Sequence, residues 1–320
     1  MRKYRVCLDI GGTKVLGAIF DENQEVVFRL KKKTKAKDGM QNVEDTIVSV
    51  VHELLSGYGI TMDDVEAIAA GAPGVINQDT GVILFSPNLP WENYEIERIL
   101  EERFKRPFYI GNDANIGVYG EWKYGAAKEL TQVVGLFIGT GIGGGLILEG
   151  KIYTGNDCKG AELGHMVLNT EGPRCNCGQR GCLEAFSSKI GMVDYIQQQI
   201  MRGRKTVMSE AITDGVFKSK AMKAAYDVGD IVMIEAIDRA CYYLAVASGS
   251  LVNIFSPQMI VFGGGVMEAM GDVFLARILK NVDAFCLPSI RNSVVFSKAE
   301  LNDDSILYGA LALIEAKQKM

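Results

Sequence analysis

At 320 residues the chain suggests about two domains, taking roughly 150 residues for each. It is 48% hydrophobic and 23% charged with 36 Gly and 7 Pro, which excludes a disordered tail, a collagen and a disulfide miniprotein. The charge, 34 Lys and Arg against 39 Asp and Glu or −5 in all, argues against nucleic acid or an anionic membrane as partner.

The N-terminus meets Asp9 before a signal-peptide apolar core could form, and seven Cys without a secretory signal predict a reducing, cytoplasmic setting. Residues 5–20, RVCLDIGGTKVLGAIF, are apolar and β-prone on both sides of a Gly11-Gly12-Thr13 turn, which predicts a hairpin. Met40, Val43, Ile47, Val50, Val51, Leu54 and Leu55 then recur at helical spacing, with Gly57 as the expected stop. Val65–Ala70 reads as a buried strand ending at Gly71-Ala72-Pro73-Gly74, and 108–110 as another ending at Gly111-Asn112-Asp113. Residues 133–148, VVGLFIGTGIGGGLIL, repeat the strand, Gly turn, strand pattern of the first segment. They are too short and glycine-rich for a membrane span and form a weak internal repeat. A long helix follows at roughly 229–253, then a strand from Met259 running into Gly263-Gly264-Gly265. The tail, 305–319, places Ile306, Leu307, Ala310, Leu311 and Ile314 on one helical face. Strands alternating with helices make the fold class α/β, with two halves expected to pack around a cleft.

Two glycine motifs mislead. Gly139-Thr140-Gly141-Ile142-Gly143-Gly144 matches the dinucleotide fingerprint, but a strand rather than a helix is expected after it. Gly145–Lys151 nearly matches a phosphate loop of the Walker type, yet Ile152 stands where Ser or Thr would bind magnesium. The loops at 11–12, 139–145 and 263–265 read instead as hairpin turns whose N–H groups converge on an anion, with Thr13 and Thr140 adding hydroxyls and Lys14 a charge. Three such loops favour a nucleotide over tight turning alone. Asp9, ending a buried strand, is placed either to orient hydrated magnesium on phosphates or to cap the turn.

Asp113 follows a strand and an Asn, as a carboxylate that accepts the proton of a phosphoryl-acceptor hydroxyl would, and equally as a helix cap would. The run from 162 to 184 is more specific. Glu162-Leu-Gly-His165 precedes Cys175-Asn-Cys177-Gly-Gln-Arg-Gly-Cys182-Leu-Glu184, and one His with three Cys supplies the ligands of a closed tetrahedral zinc site. A redox thiol set or unrelated buried cysteines are the other readings. Zinc would fix one nitrogen of His165 and leave the other facing a ligand, with Glu162 and Glu184 bracketing the site as acceptors suited to a polyol. Cys7, Cys158, Cys241, Cys286 and His52 have no partner spacing.

Together DIGGTK (9–14), GAPGVIN (71–77), SPNLPW (86–91), NDAN (112–115), IGTGIGGG (138–145), GAELGH (160–165) and CNCGQRGCLE (175–184) resemble the ROK family of sugar kinases, its bacterial glucokinases most of all. The resemblance runs end to end and implies an actin-like, hexokinase-type (ribonuclease H-like) two-domain α/β fold. Its smaller N-terminal domain would be 1–117, joined by the C-terminal helix at about 303–320. The larger C-terminal domain, 118–302, would contain the zinc loop. It further implies Asp113 as general base for the sugar 6-hydroxyl, and Gly74, Asn88, Asn112, Glu162, His165 and Glu184 as sugar-binding. Asp9, Gly11, Gly12, Thr13, Lys14, Gly139, Thr140, Gly141, Gly143, Gly263, Gly264 and Gly265 would bind ATP with Mg2+. Zinc would sit on His165, Cys175, Cys177 and Cys182. Gly111 departs from the pattern, since many relatives carry Glu there. The expected activity is transfer from ATP to glucose, with N-acetylmannosamine, N-acetylglucosamine or fructose as alternative acceptors and homodimers or homotetramers as the expected state. The family also holds sugar-sensing repressors with a winged helix-turn-helix ahead of the sugar part; a turn beginning at Gly11 leaves no space for one, and neither DNA nor membrane is an expected partner.

Overall fold

In the computed structural model, which describes residues 4–34, 39–86, 89–213 and 217–319, the chain divides into two compact units. The first comprises Met1–Glu129, Ile152–Ala161 and Asp304–Met320, the second Leu130–Lys151 and Glu162–Asp303.

In the first unit β1 (Tyr4–Ile10) and β2 (Lys14–Phe20) pair antiparallel with Ile10 opposite Val15, the hairpin expected from the sequence. β3 (Val26–Lys33) extends it, and β4 (Val65–Ala72) and β8 (Phe108–Asn112) add in parallel, in the order β3-β2-β1-β4-β8. Strand alternation divides the core. Val6, Leu8, Ile10, Ile68 and Ala70 pack with α1 (Met40–Tyr58) and α2 (Ile96–Phe104), while Cys7, Ala67 and Ala69 pack with α3 (Asp113–Tyr124) and α11 (Ser305–Gln318). A small sheet, β5 (Val75–Asn77), β6 (Val82–Phe85) and β7 (Glu92–Tyr94), lies between β4 and α2 in sequence. The seam of α3 and α11 carries a buried bond in which Ser305 Oγ donates to Glu121 Oε1 at 2.7 Å.

α1 runs past Gly57, the expected stop, and ends on Gly59 at φ 83. Gly57 is spared a side chain because a Cβ there would stand 2.7 Å from the Phe28 ring; it admits a neighbour rather than ending the helix.

β8 is an edge strand whose outward N–H groups need acceptors. α2 faces it: Glu101 Oε1 accepts the Phe108 N–H at 3.2 Å, and the Glu97 carboxyl stands one turn earlier, towards the Ile110 N–H. Glu97 Oε2 is buried and finds no donor among the described residues. Burial pushes the Glu97 carboxyl up to about 7, against the pull of Lys317 and with the charge of Glu101 adding to it. A carboxyl whose folded pKa lies above its unfolded one binds more protons folded, so its contribution to stability is fully present below about pH 4.5 and is lost as pH rises to about 7. Glu97→Gln is therefore expected to flatten the fall in stability across that window, measured by urea unfolding at a series of pH values. A wild-type slope retained in the variant would contradict this source of it.

The second unit repeats the arrangement. β9 (Val133–Ile138) and β10 (Ile142–Leu148) pair antiparallel, and the sheet order β11-β10-β9-β12-β13 has parallel β12 (Met259–Gly263) and β13 (Val295–Lys298) where the first sheet has β4 and β8. β11 is Lys151–Tyr153. The helices are α4 (Leu183–Ser187), α5 (Lys189–Met201), α6 (Ser209–Thr213), α7 (Ser219–Asp227), α8 (Ile231–Phe255), α9 (Gly265–Val282) and α10 (Pro288–Arg291). β10 continues after the fingerprint-like glycines, so the pyrophosphate-binding helix of a dinucleotide fold is not there. The third glycine cluster differs from its expected form. It is a strand-to-helix turn, because Gly264 (φ 87) reverses the chain at the end of β12 and α9 begins at Gly265. No helix among the described residues is long and apolar enough to cross a membrane.

Candidate active site

Each unit presents its own set of groups. In the first, Gly11 N–H donates to Lys14 O at 2.8 Å and closes the hairpin turn, two residues beyond Asp9. Thr34 braces it from behind, its hydroxyl donating to Gly11 O at 2.8 Å and its N–H to Thr13 O at 2.9 Å. Nothing in the spacing of the sequence ties Thr34 to this turn; the pairing of β2 with β3 brings it there.

Asp113 is the first residue of α3, and its Oδ1 accepts the Ala114 N–H at 2.8 Å. Asn112 caps the same helix, Oδ1 accepting from Asn115 N at 3.0 Å, while its Nδ2 donates to Gly74 O at 2.9 Å. One amide thus ties the carboxylate's helix to the Gly74 turn, and one Nδ2 hydrogen remains for a ligand. Gly74 stands at φ 122 and a Cβ would run into Phe85 O, so the turn admits glycine alone. Ser86 Oγ fastens it further, donating to Pro73 O at 2.7 Å. Asn88 lies outside the described residues. At Gly111 a Cβ would stand 2.5 Å from Gln78 Nε2 and 2.7 Å from Ile116, so the space that a glutamate would need is already filled.

In the second unit the turn between β9 and β10 closes through Gly139 N–H to Gly141 O at 2.9 Å. Thr140 is central in it, whereas Gly143 lies in β10 opposite Phe137. Glu184, in the first turn of α4, joins this turn to the cysteine loop. Its Oε2 accepts the Ile142 N–H at 2.9 Å and its Oε1 accepts from Cys175 Sγ at 3.4 Å. A Cβ on Gly141 would strike the same carboxylate. Glu162 is exposed, yet the protein packed around its carboxyl pushes its pKa up, opposed by His165 and assisted by Glu184.

His165, Cys175, Cys177 and Cys182 offer ligand atoms that all lie within 4.8 Å of one another. Cys175 Sγ stands 3.7 Å from His165 Nδ1, and Cys177 Sγ 3.7 Å from Cys182 Sγ. A zinc tetrahedron with Zn–S near 2.3 Å has sulfur-to-sulfur edges of about 3.8 Å, so the four residues fit the ion. Positive φ at Gly178 (93°) and Gly181 (72°) lets the chain turn back on itself between the ligands, as the glycines there suggest. Cys182 is fully buried and Cys175 nearly so, and burial raises both thiols; a dication among them reverses that cost by favouring the thiolates. With Nδ1 towards the sulfurs, His165 has Nε2 left for a ligand.

Gly263 ends β12, Gly264 caps α9 and Gly265 opens it. Beside them is a cavity of about 250 Å³ lined by Met267, Glu268, Lys298, Glu300 and Asn302 among others. Polar and apolar walls on a glycine turn suit a base and ribose.

Known proteins resemble this chain along its length. A family model described as ROK family matches residues 5–317. The glucokinase of Halalkalibacterium halodurans is 31% identical over 318 residues, covering 99% of this chain and 96% of that protein. A solved ROK family glucokinase from Streptomyces griseus, in complex with glucose and AMPPNP, superposes with a TM-score of 0.83 at 27% identity, covering 98% of this chain and 99% of that one. The xylose repressor of Caldicellulosiruptor bescii is 26% identical over 291 residues, which are 91% of this chain and 72% of the repressor.

Proposed function

The chain belongs to the ROK family and has its actin-like, hexokinase-type fold, and from that premise we propose that it is an ATP-dependent hexose kinase acting on the 6-hydroxyl, with glucose as its acceptor. The observation that carries the reading is Asp113 at the head of α3, held there by Asn112, which caps the helix and grips the Gly74 turn at once. A carboxylate so fixed takes the proton of the sugar hydroxyl as its oxygen bonds to the γ-phosphorus and ADP departs. Phosphoryl transfer asks little covalent chemistry of the protein, so placement of the acceptor oxygen and neutralisation of phosphate charge do most of it.

The remaining roles divide by chemistry. Gly74, Asn88, Asn112, Glu162, His165 and Glu184 supply donors and acceptors to the sugar. The Gly11–Lys14 and Gly139–Gly141 turns, with Thr13 and Thr140, take the phosphates, and the cavity at Gly263–Gly265 takes the adenosine. Magnesium bound to the phosphates supplies charge neutralisation, and Asp9 is the carboxylate offered to its hydration shell. Zinc on His165, Cys175, Cys177 and Cys182 stiffens the loop from which His165 and Glu184 reach the sugar. The glucokinase relatives and the glucose complex of one of them favour glucose.

A panel of glucose, fructose, N-acetylglucosamine and N-acetylmannosamine with ATP tests the acceptor. Glucose is expected to give the highest kcat/KM. An N-acetyl sugar ranking above it would reassign the substrate while leaving the kinase chemistry in place.

A further inference from the structure

The two hairpin turns are repeats in backbone but not in charge. Counting from the last isoleucine of each first strand, Ile10 and Ile138, the fourth residue is Lys14 in one and Ile142 in the other. A lysine nonetheless reaches the second turn from a distant part of the chain. Lys189 opens α5, and its N–H donates to Gly139 O at 3.0 Å while that of Ile190 donates to Thr140 O at 3.3 Å. The first two residues of α5 are therefore fastened to the first two residues of the turn, Lys189 to Gly139 and Ile190 to Thr140.

Its side chain is costly where it stands. It is half-buried, and no charged group among the described residues offsets that burial. Burial draws its pKa below that of an ordinary lysine, with no neighbouring charge to offset the effect. It also occupies the first turn of a 13-residue helix, where the peptide dipoles disfavour a cation. A lysine kept only for solubility extends its head into water. The carboxylate at this turn, Glu184, is engaged by Ile142 and Cys175.

We infer that Lys189 binds the phosphate chain of ATP at the Gly139–Gly141 turn, supplying there the positive charge that Lys14 supplies at the first turn. The inference rests on the kinase reading above and adds a residue to it from outside every glycine motif. A half-desolvated ammonium pairs with a polyphosphate through a charge-assisted bond, worth far more than the same contact in open water.

Steady-state kinetics of Lys189→Met and Lys189→Arg, with adenosine as a phosphate-free competitor, test it. K189M is expected to raise the KM for ATP about tenfold or more, with the sugar KM and the inhibition constant of adenosine within about twofold of wild type. K189R, which keeps the charge, is expected to remain within about threefold in all three. A K189M enzyme with an unchanged KM for ATP, or one that loses adenosine as strongly as ATP, overturns the assignment; so does K189R as impaired as K189M. Wild-type protein that phosphorylates no hexose with ATP would overturn the kinase reading itself, a result distinct from an active wild type and an indifferent variant.

Discussion

Asp113→Asn is expected to lower kcat by about 10³-fold while leaving sugar affinity within a few-fold. The two side chains have the same shape, and the Asn Oδ1 can still accept the Ala114 N–H that Asp113 Oδ1 accepts now, so α3 keeps its first turn. Asn112 continues to cap the helix and to hold Gly74 O, so the acceptor sugar meets the same walls. Only the capacity to take a proton is lost. The loss belongs in kcat because the proton moves as the bond to phosphorus forms, after the sugar is already bound. Steady-state rates from ADP formation, beside glucose binding by calorimetry, separate the two terms. A variant within tenfold of the wild-type kcat would remove Asp113 from the role of base.

Cys177→Ser is expected to abolish tight zinc binding and to raise the sugar KM by about ten- to a hundredfold. Cys177 is the exposed member of the four clustered residues, so serine fits without disturbing the core, and the change is confined to one of the proposed ligands. Removing that ligand leaves His165 and the buried Cys175 and Cys182 without a complete shell, and the short loop has little apolar packing of its own to hold it. Glu184 is bonded to Cys175 on one side and to Ile142 on the other, so disorder in the loop reaches the carboxylate proposed to bind the sugar and the Gly139–Gly141 turn together. Metal analysis should find about one zinc per wild-type chain and little in the variant. Wild-type protein purified reduced, free of zinc and fully active, would show that the cluster is not a zinc site.

Features with a local cause could be read from the sequence. Both hairpins announced themselves as apolar strands on either side of glycine turns, and the two sheets share one order because the same pattern recurs at 133–148. The cysteine loop was legible because C-x-C-x4-C with an upstream His has few packing explanations. Glycines were ambiguous because one residue type answers several needs. Gly57 makes room for Phe28 inside a helix, Gly59 ends that helix, and Gly264 turns a strand into a helix rather than into a second strand. Gly111 looked like a departure beside the base; it is explained by Gln78, 33 positions earlier, which fills the space above it. Thr34 and Lys189 were missed for the same reason: each reaches its glycine turn through backbone pairing that only the assembled sheet or helix creates.

Transfer of phosphate from ATP to the 6-hydroxyl of a hexose is tested most directly by product analysis. Purified protein incubated with glucose, ATP and magnesium, followed by phosphorus NMR, is expected to yield glucose 6-phosphate and ADP in equal amounts, with ADP formation dependent on the sugar. A spectrum with no sugar phosphate, or with the phosphate on another hydroxyl, would contradict it.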